Sequence, residues 1–477
     1  MGSTRCSHRI GSGGRRGRAS CPARWSCGGA SRSTTEACAR SAPGSWRSPC
    51  RRSTRPRARP RCGASPSAWG SRRSRRDSFK RPPSATAGRF QRRCCRREPR
   101  PRRDHDHSDL VRLRRRLGPR SNQDLVERSR RPVILAGRGA VLADAGPALE
   151  ALGERIGALL ATSLMGNGLF AGNAASLGVC GGYGSKLLER LLPEADLVLA
   201  FGAGLNQWTT MFGRLLGDAA IVQCDADARA IGGHRPVRLG LAGDAAEAAD
   251  ALGEELERRG FASDGFRTGE VAAEVRAYSA AEDYADEAGE GLIDPRTLVA
   301  ELDRLLPPER TVVYDCGHWT WFVTPFLNVP DPAGFVPAQG FMSVGHGLAT
   351  AIGAAVARPD RPVLALTGDG GAMMALGELD SIIAQGLVVL VAVFNDAAYG
   401  AEVHHFGPMG RPTGMVEFGD RDFAAVAVAL GARAATVRSA DDLAAPIEDW
   451  LARPAGPLVL DPRLVSARLA EAFAGGA

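Results

Sequence analysis

The stretch from Arg361 to Gly400, RPVLALTGDGGAMMALGELDSIIAQGLVVLVAVFNDAAYG, constrains the fold more than any other part of the 477-residue chain. Val363 to Leu366 is a short apolar run bounded by Pro362 and Gly368, the pattern of a parallel strand buried on both faces. Met373, Leu376, Leu379, Ile382 and Ile383 then recur at helical spacing, and Gly386 stands where a helix C-cap belongs. Leu387 to Phe394 is a second buried strand. The pattern predicts one βαβ unit. Adjacent parallel strands run about 4.8 Å apart and end at the same edge of the sheet. Asp369 and Asp396, each just past a strand end, are therefore expected to reach one shared cation.

The chemistry agrees with that placement. Gly368 and Gly370 let the backbone approach a phosphate closely, and the helix that follows begins with free N–H groups and a positive dipole end. Two carboxylates plus phosphate oxygens make the hard, oxygen-rich site that Mg²⁺ prefers. A Gly-rich turn with unrelated aspartates is the plainer alternative, and it leaves unexplained why both ends and the intervening βαβ pattern agree. Gly368-Asp369-Gly370, 24 residues (371–394), then Asn395-Asp396 resembles the thiamine-diphosphate (ThDP) motif. The surrounding sequence is similar to the acetolactate synthase-like branch of ThDP enzymes, of the large catalytic subunit type, over about residues 125–465.

That resemblance implies roles for particular residues. Asp369 and Asp396 would be the side-chain ligands of Mg²⁺, with the carbonyl of Ala398 as the third protein ligand. Asn395 would brace the loop beside the cofactor, and Tyr399-Gly400 would close the site. Gly371 and Ala372 would offer backbone N–H groups to the diphosphate; relatives often carry Ser at one of these places, so a hydroxyl contact is lost here. The segment Gly340 to Gly353, GFMSVGHGLATAIG, would supply the bulky apolar side chain over which the cofactor bends. Val344 matches that position, where relatives often have Met, and the carbonyl of Met342 would face the aminopyrimidine. Gly345 belongs to the same cofactor segment, although Gly345, Gly347 and Gly353 read equally as close helix packing. His318, in Asp315-Cys316-Gly317-His318 after the strand Thr311 to Tyr314, is the candidate diphosphate contact, with a loop hydrogen-bonder as the equal alternative. Glu378 reads as structural, and His404 and His405 as surface loop histidines near the mouth.

Composition divides the chain. Residues 1–100 hold 27 Lys and Arg against Glu36, Asp77 and Glu98; the remaining 377 hold 34 basic against 49 acidic residues, so the overall +9 describes neither part. The first hundred residues contain no Leu, no Val and only Ile10 as Ile, and eight of the eleven cysteines. Such a segment cannot offset its ordering entropy with a core and is expected to be disordered over 1–110. A basic nucleic-acid-binding tail and a transit peptide compete as readings, and no apolar stretch follows Arg15-Arg16 as a twin-arginine signal needs. No C-x₂-C pair supports zinc. The preferred reading is text out of frame: Arg is used almost to the exclusion of Lys, which appears only at Lys80 and Lys186. The cluster Asp104 to His107 sits at that seam. Cys180, Cys224 and Cys316 are scattered singly, as in a reduced cytoplasmic protein, and no apolar run approaches a membrane span.

Globular patterning starts between Leu110 and Arg131. Pro132 to Ala136 reads as a buried strand, followed by Gly137-Arg138-Gly139 and a helix with Leu149, Leu152 and Ile156. Further strands are expected at Leu197 to Phe201 and Ala219 to Gln223, so two doubly wound, mostly parallel α/β domains are predicted, 121–254 and 291–470. The first is similar to the central domain of the same family, where some relatives place FAD or ADP; a lone GxG falls short of the dinucleotide fingerprint, and a domain that only supports the assembly is the preferred reading. Residues 255–290, rich in Glu, Ala and Gly, read as a solvated linker. Asp294-Pro295 marks a helix start, with Asp294 as N-cap.

In this family a glutamate on a separate pyrimidine-binding domain activates the cofactor, and the active site forms between two subunits. No such domain is legible here, and neither Glu36 nor Glu98 follows a buried strand. Two functions are therefore expected. One is a ThDP- and Mg²⁺-dependent enzyme of the acetolactate synthase type that decarboxylates a small 2-keto acid and joins the fragment to an acceptor, as a homodimer or tetramer. The other is a ThDP–Mg²⁺ binding chain that needs a partner for its pyrimidine domain. Nucleic-acid binding through the basic arm is the weakest class.

Overall fold

A computed structural model describes residues 123–465. The expectations for residues 1–110, including Glu36, Glu98 and the cluster Asp104 to His107, lie outside the described residues. Two six-stranded sheets, parallel in every pairing, organise the described chain. The first contains β1 (Pro132–Ala136), β2 (Leu159–Thr162), β3 (Ser176–Val179), β4 (Leu197–Phe201), β5 (Ala220–Asp225) and β6 (Leu239–Ala242), in the order β3-β2-β1-β4-β5-β6. The second contains β7 (Thr311–Tyr314), β8 (Phe335–Pro337), β9 (Val363–Gly368), β10 (Val389–Phe394), β11 (Arg433–Val437) and β12 (Leu458–Pro462), in the order β11-β12-β10-β9-β7-β8. The two doubly wound α/β sheets anticipated from the sequence are both present.

Burial follows from the apolar runs. Along β1, Val133 and Leu135 face one core while Ile134 and Ala136 face the other, and all four are fully buried. Strand β10 repeats the pattern, with Val389, Val391 and Val393 against one helical layer and Leu390, Ala392 and Phe394 against the other. A strand covered by helices on both faces needs apolar residues at every position, which is why these segments read as continuous runs. Leu164 and Val179, at the ends of β2 and β3, join the core of the second sheet and tie the two sheets together.

The first sheet changes winding direction between β1 and β4; the second does so between β7 and β9, and again at its far end where β12 inserts between β10 and β11. Crevices outside the carboxyl ends of strands at such points are where α/β folds hold ligands. At the first crevice the strand-end loops pack closely. Gly137 N–H donates to the Phe201 carbonyl at 2.9 Å and Gly139 N–H to the Gly202 carbonyl at 3.0 Å. A Cβ on Gly137 would stand 2.3 Å from Gly202 O, and one on Gly139 2.6 Å from Gly202 Cα. Close packing of two loops explains why glycines stand at 137 and 139.

Two expectations change. Residues 255–290 are not simply a solvated linker: they contain the helix Gly269–Ala277, and Phe266 and Val275 are buried against the first sheet. Phe266 before that helix and Val275 on it are the anchoring positions among otherwise Ala- and Glu-rich residues. The helix after β9 is broken into Asp369–Met374 and Leu376–Ala384, which turns Met373 outward, 46% exposed, away from the core its spacing suggested. Gly386 follows the second helix at φ +62°, as a helix stop should. The helix Pro295–Leu305 starts as expected, the buried Asp294 carboxylate accepting the Arg296 N–H at 2.8 Å. No helix among the described residues is long and apolar enough to cross a membrane.

Candidate active site

The second crevice lies open. Phe394 pairs with Gly368, so β9 and β10 deliver Asp369 and Asp396 to the same edge. Beside them β7 ends at Tyr314 and delivers Asp315, 1% exposed, which sequence reasoning passed over. Its Oδ1 accepts the N–H groups of Cys316 at 2.8 Å and His346 at 3.2 Å, and its Oδ2 the Thr367 hydroxyl at 2.9 Å; both oxygens lie 3.1 Å from Gly345 N. One buried carboxylate thereby fixes the 345–346 turn to the ends of β7 and β9.

Between these loops is a cavity of about 290 Å³. Gly368, Asp369, Gly370 and Gly371 form one wall, Asp396, Ala398, Tyr399 and Gly400 the second, His318 the floor beside them, and Met342 and Val344 the third. Nearly all the site residues expected from the sequence meet here. Two do not. Asn395 does not line the cavity, because its amide donates to the Arg421 carbonyl at 2.9 Å and to Asp461 Oδ1 at 2.8 Å, and so braces the loop from behind. Ala372 is buried in the helix-side core under β10, one residue beyond the wall. Gly345 likewise stands behind the lining, at φ +87° against Met374, holding the turn that presents Val344.

The two aspartates form an unbalanced pair. Asp369 Oδ1 accepts the Gly370 N–H at 2.7 Å, yet Asp369 Oδ2 and Asp396 Oδ2 are buried with no hydrogen-bond donor. Burial pushes the Asp369 carboxyl up to about 7; burial, then the Asp369 charge, pushes Asp396 up to about 7. Buried acceptors are almost always satisfied, and a divalent cation would satisfy both, so the donor set fits Mg²⁺ carried with a diphosphate. The same shifts set a pH dependence. A carboxyl whose folded value lies above its unfolded value of 3.8 holds a proton in the fold that an arriving cation must displace. Mg²⁺ affinity in the presence of ThDP is expected to rise from about pH 6 to about pH 8 with proton release, measured by calorimetry in two buffers of different ionisation enthalpy. A pH-independent affinity would contradict it.

His318 is buried, and desolvation, then the neighbouring His404, lowers its pKa to about 3, so it is a neutral imidazole. Its Nε2 lies 3.8 Å from Asp396 Oδ2. Gly400 makes that approach feasible: a Cβ there would stand 2.3 Å from Asp396 Oδ2 and 2.4 Å from His318 Cε1. Because those atoms are side-chain ends that can swing aside, Gly400→Ala is expected to leave stability within about 1 kcal/mol and to weaken ThDP–Mg²⁺ binding about 10-fold. Unchanged affinity by equilibrium dialysis would show that the His318–Asp396 spacing is irrelevant.

A further wall was not legible in the sequence. Tyr183 and Trp208 of the first domain meet Trp321 at ring separations of 5.9 and 5.5 Å, and all three line the cavity with Cys316. Burial pushes the Tyr183 phenol up to about 12, so it stays protonated. Trp319 stacks on Phe394 at 4.6 Å and 15°, and both line the cavity. His404 is not the surface loop residue expected: it is half-buried with its ring 5.6 Å from that of His318, whereas His405 is exposed.

Comparison with known proteins bears on this crevice directly. Residues 315–461 match the family profile described as "Thiamine pyrophosphate enzyme, C-terminal TPP binding domain", and residues 122–252 match "Thiamine pyrophosphate enzyme, central domain". The chain belongs to the thiamine pyrophosphate enzyme family. Sulfoacetaldehyde acetyltransferase of Castellaniella defragrans is 29% identical over 345 residues, 67% of this chain and 57% of that protein. The enzyme of the same name from Alcaligenes xylosoxydans xylosoxydans is 28% identical over 348 residues, 67% and 58% of the two chains. An acetolactate synthase large subunit of Parasynechococcus marenigrum is 31% identical over 279 residues, 57% and 44%. The chain thus spans just over half the length of the first two relatives. The loops after β7, β9 and β10 that line the second crevice fall inside the TPP-binding profile, and the β1–β4 crevice falls inside the central one.

Proposed function

We propose that this chain holds thiamine diphosphate through Mg²⁺ at the second crevice and serves the decarboxylation and carboligation of a small 2-keto acid, as an acetolactate synthase-like enzyme. The observation that carries the reading is the pair of buried carboxylate oxygens of Asp369 and Asp396, without donors, at the open edge of a parallel sheet. Asp369, Asp396 and the Ala398 carbonyl would take the ion. The backbone at Gly370 and Gly371 and the neutral His318 would meet the diphosphate. Val344 would support the bend of the cofactor and the Met342 carbonyl its aminopyrimidine. When bound, the cofactor supplies the electron sink for bond breaking and making beside a carbonyl carbon. The chain's own part is to hold the diphosphate end rigidly and, through Tyr183, Trp208 and Trp321, to keep an apolar wall beside the reacting carbonyl.

A second reading has its own support. Among the described residues Glu402 is the one glutamate lining the cavity, exposed on the helix Gly400–Phe406 that follows the Asp396 loop. A partner chain or a second copy would then supply the pyrimidine side. Phe341, Met342 and Met374 are 78%, 68% and 60% exposed beside the cavity, which favours a homodimer or tetramer there. Cys180, Cys224 and Cys316 are free, as in a cytoplasmic protein. Incubation of the chain with ThDP, Mg²⁺ and pyruvate tests both readings. Release of CO₂ supports the enzyme; ThDP binding without release, restored by a pyrimidine-domain fragment added in trans, supports the partner-dependent chain.

A further inference from the structure

The helix Gly400–Phe406 carries His404 back toward the loop after β7. There the rings of His404 and His318 lie 5.6 Å apart at 52°. Asp396 completes the group, with Oδ2 3.8 Å from His318 Nε2, and one ligand atom from each of the three residues lies within 4.8 Å of the others. Three separate elements are needed to assemble this cluster: the loop after β7, the end of β10, and the helix that follows it. Two imidazole nitrogens with one carboxylate oxygen suit a borderline ion such as Zn²⁺ or Co²⁺, whereas Mg²⁺ prefers an all-oxygen shell. Bonds of about 2.0–2.2 Å would set the donors about 3.3 Å apart around a tetrahedral ion. Side-chain rotations of about an ångström reach that spacing from the present one.

We propose that His318, Asp396 and His404 form a second metal position that takes a borderline divalent ion such as Zn²⁺ and leaves a fourth coordination place open. Asp396 belongs to both positions. An ion here withdraws it from the diphosphate's Mg²⁺, so Zn²⁺ antagonises cofactor binding. That antagonism rests on the function proposed above; the donor set itself does not.

Cobalt(II) alone is the probe, titrated into the full chain and into His404→Ala and His404→Gln, with circular dichroism to verify folding. The expected result is a visible d–d band of nitrogen and oxygen coordination that saturates with one ion, with affinity reduced at least about 10-fold in both variants. Both variants should keep ThDP–Mg²⁺ binding within about 2-fold of the unaltered chain, and Zn²⁺ should weaken that binding only where His404 is present. Cobalt held by cysteines elsewhere shows a sulfur-to-cobalt charge-transfer band and does not respond to His404. Absence of the d–d band, or equal Co²⁺ affinity in folded His404 variants, overturns the proposal. If the unaltered chain fails to bind ThDP–Mg²⁺ yet keeps a His404-dependent band, the metal position stands and only the antagonism falls.

Discussion

Asp369→Asn is expected to abolish ThDP–Mg²⁺ binding while making the cofactor-free chain more stable. The carboxyl is 2% exposed, one of its oxygens has no donor, and burial holds its pKa at about 7 against 3.8 when exposed. Above about pH 7 the folded chain therefore buries a charge that unfolding would return to water, which costs on the order of 4 kcal/mol. The sign follows from the protons: between 3.8 and about 7 the folded state holds more of them than the unfolded state, and stability falls as pH rises through that window. An amide removes this cost and should raise the midpoint of thermal unfolding at about pH 8 by about 5 °C. It also removes a charged ligand, so affinity for ThDP with Mg²⁺ should fall more than about 100-fold. Thermal scans with and without ThDP–Mg²⁺ read both effects. A variant stabilised by the cofactor as much as the unaltered chain would refute the assignment.

Asp315→Ala is expected to do the reverse and destabilise the second domain by about 3–5 kcal/mol. Without the carboxylate, the N–H groups of Cys316, Gly345 and His346 and the Thr367 hydroxyl lose their acceptor inside a site that is 1% exposed. Each stranded group costs about 1–3 kcal/mol, reduced where water enters from the cavity. Asp315→Asn keeps one acceptor oxygen and should lose about half as much. Urea unfolding midpoints at constant slope measure both. A loss under about 1 kcal/mol in Asp315→Ala would show that the 345–346 turn is held by something else.

Some of this was legible in the residues and some was not, for identifiable reasons. Asp369 and Asp396 follow strands with a strong continuous apolar signal, and parallel pairing forces their ends to one edge. Neither inference needs long-range information. Asp315 looked like a strand end and no more, because its importance depends on a turn 30 residues later folding back onto it. Proximity of His404 to His318 and the wall of Tyr183, Trp208 and Trp321 depend likewise on how distant segments pack. Asn395 was read as bracing its loop, but only Asp461 at the end of β12 shows where its amide is spent. The segment 255–290 misled through composition: Phe266 and Val275 anchor it among residues that are otherwise solvated.

The most direct test of the central claim is isothermal calorimetry of ThDP into the full chain, once with Mg²⁺ and once with the divalent ions chelated. Binding should saturate, require Mg²⁺ and disappear in Asp396→Asn. Binding that persists without a divalent ion, or that survives loss of the Asp396 carboxylate, would contradict that claim.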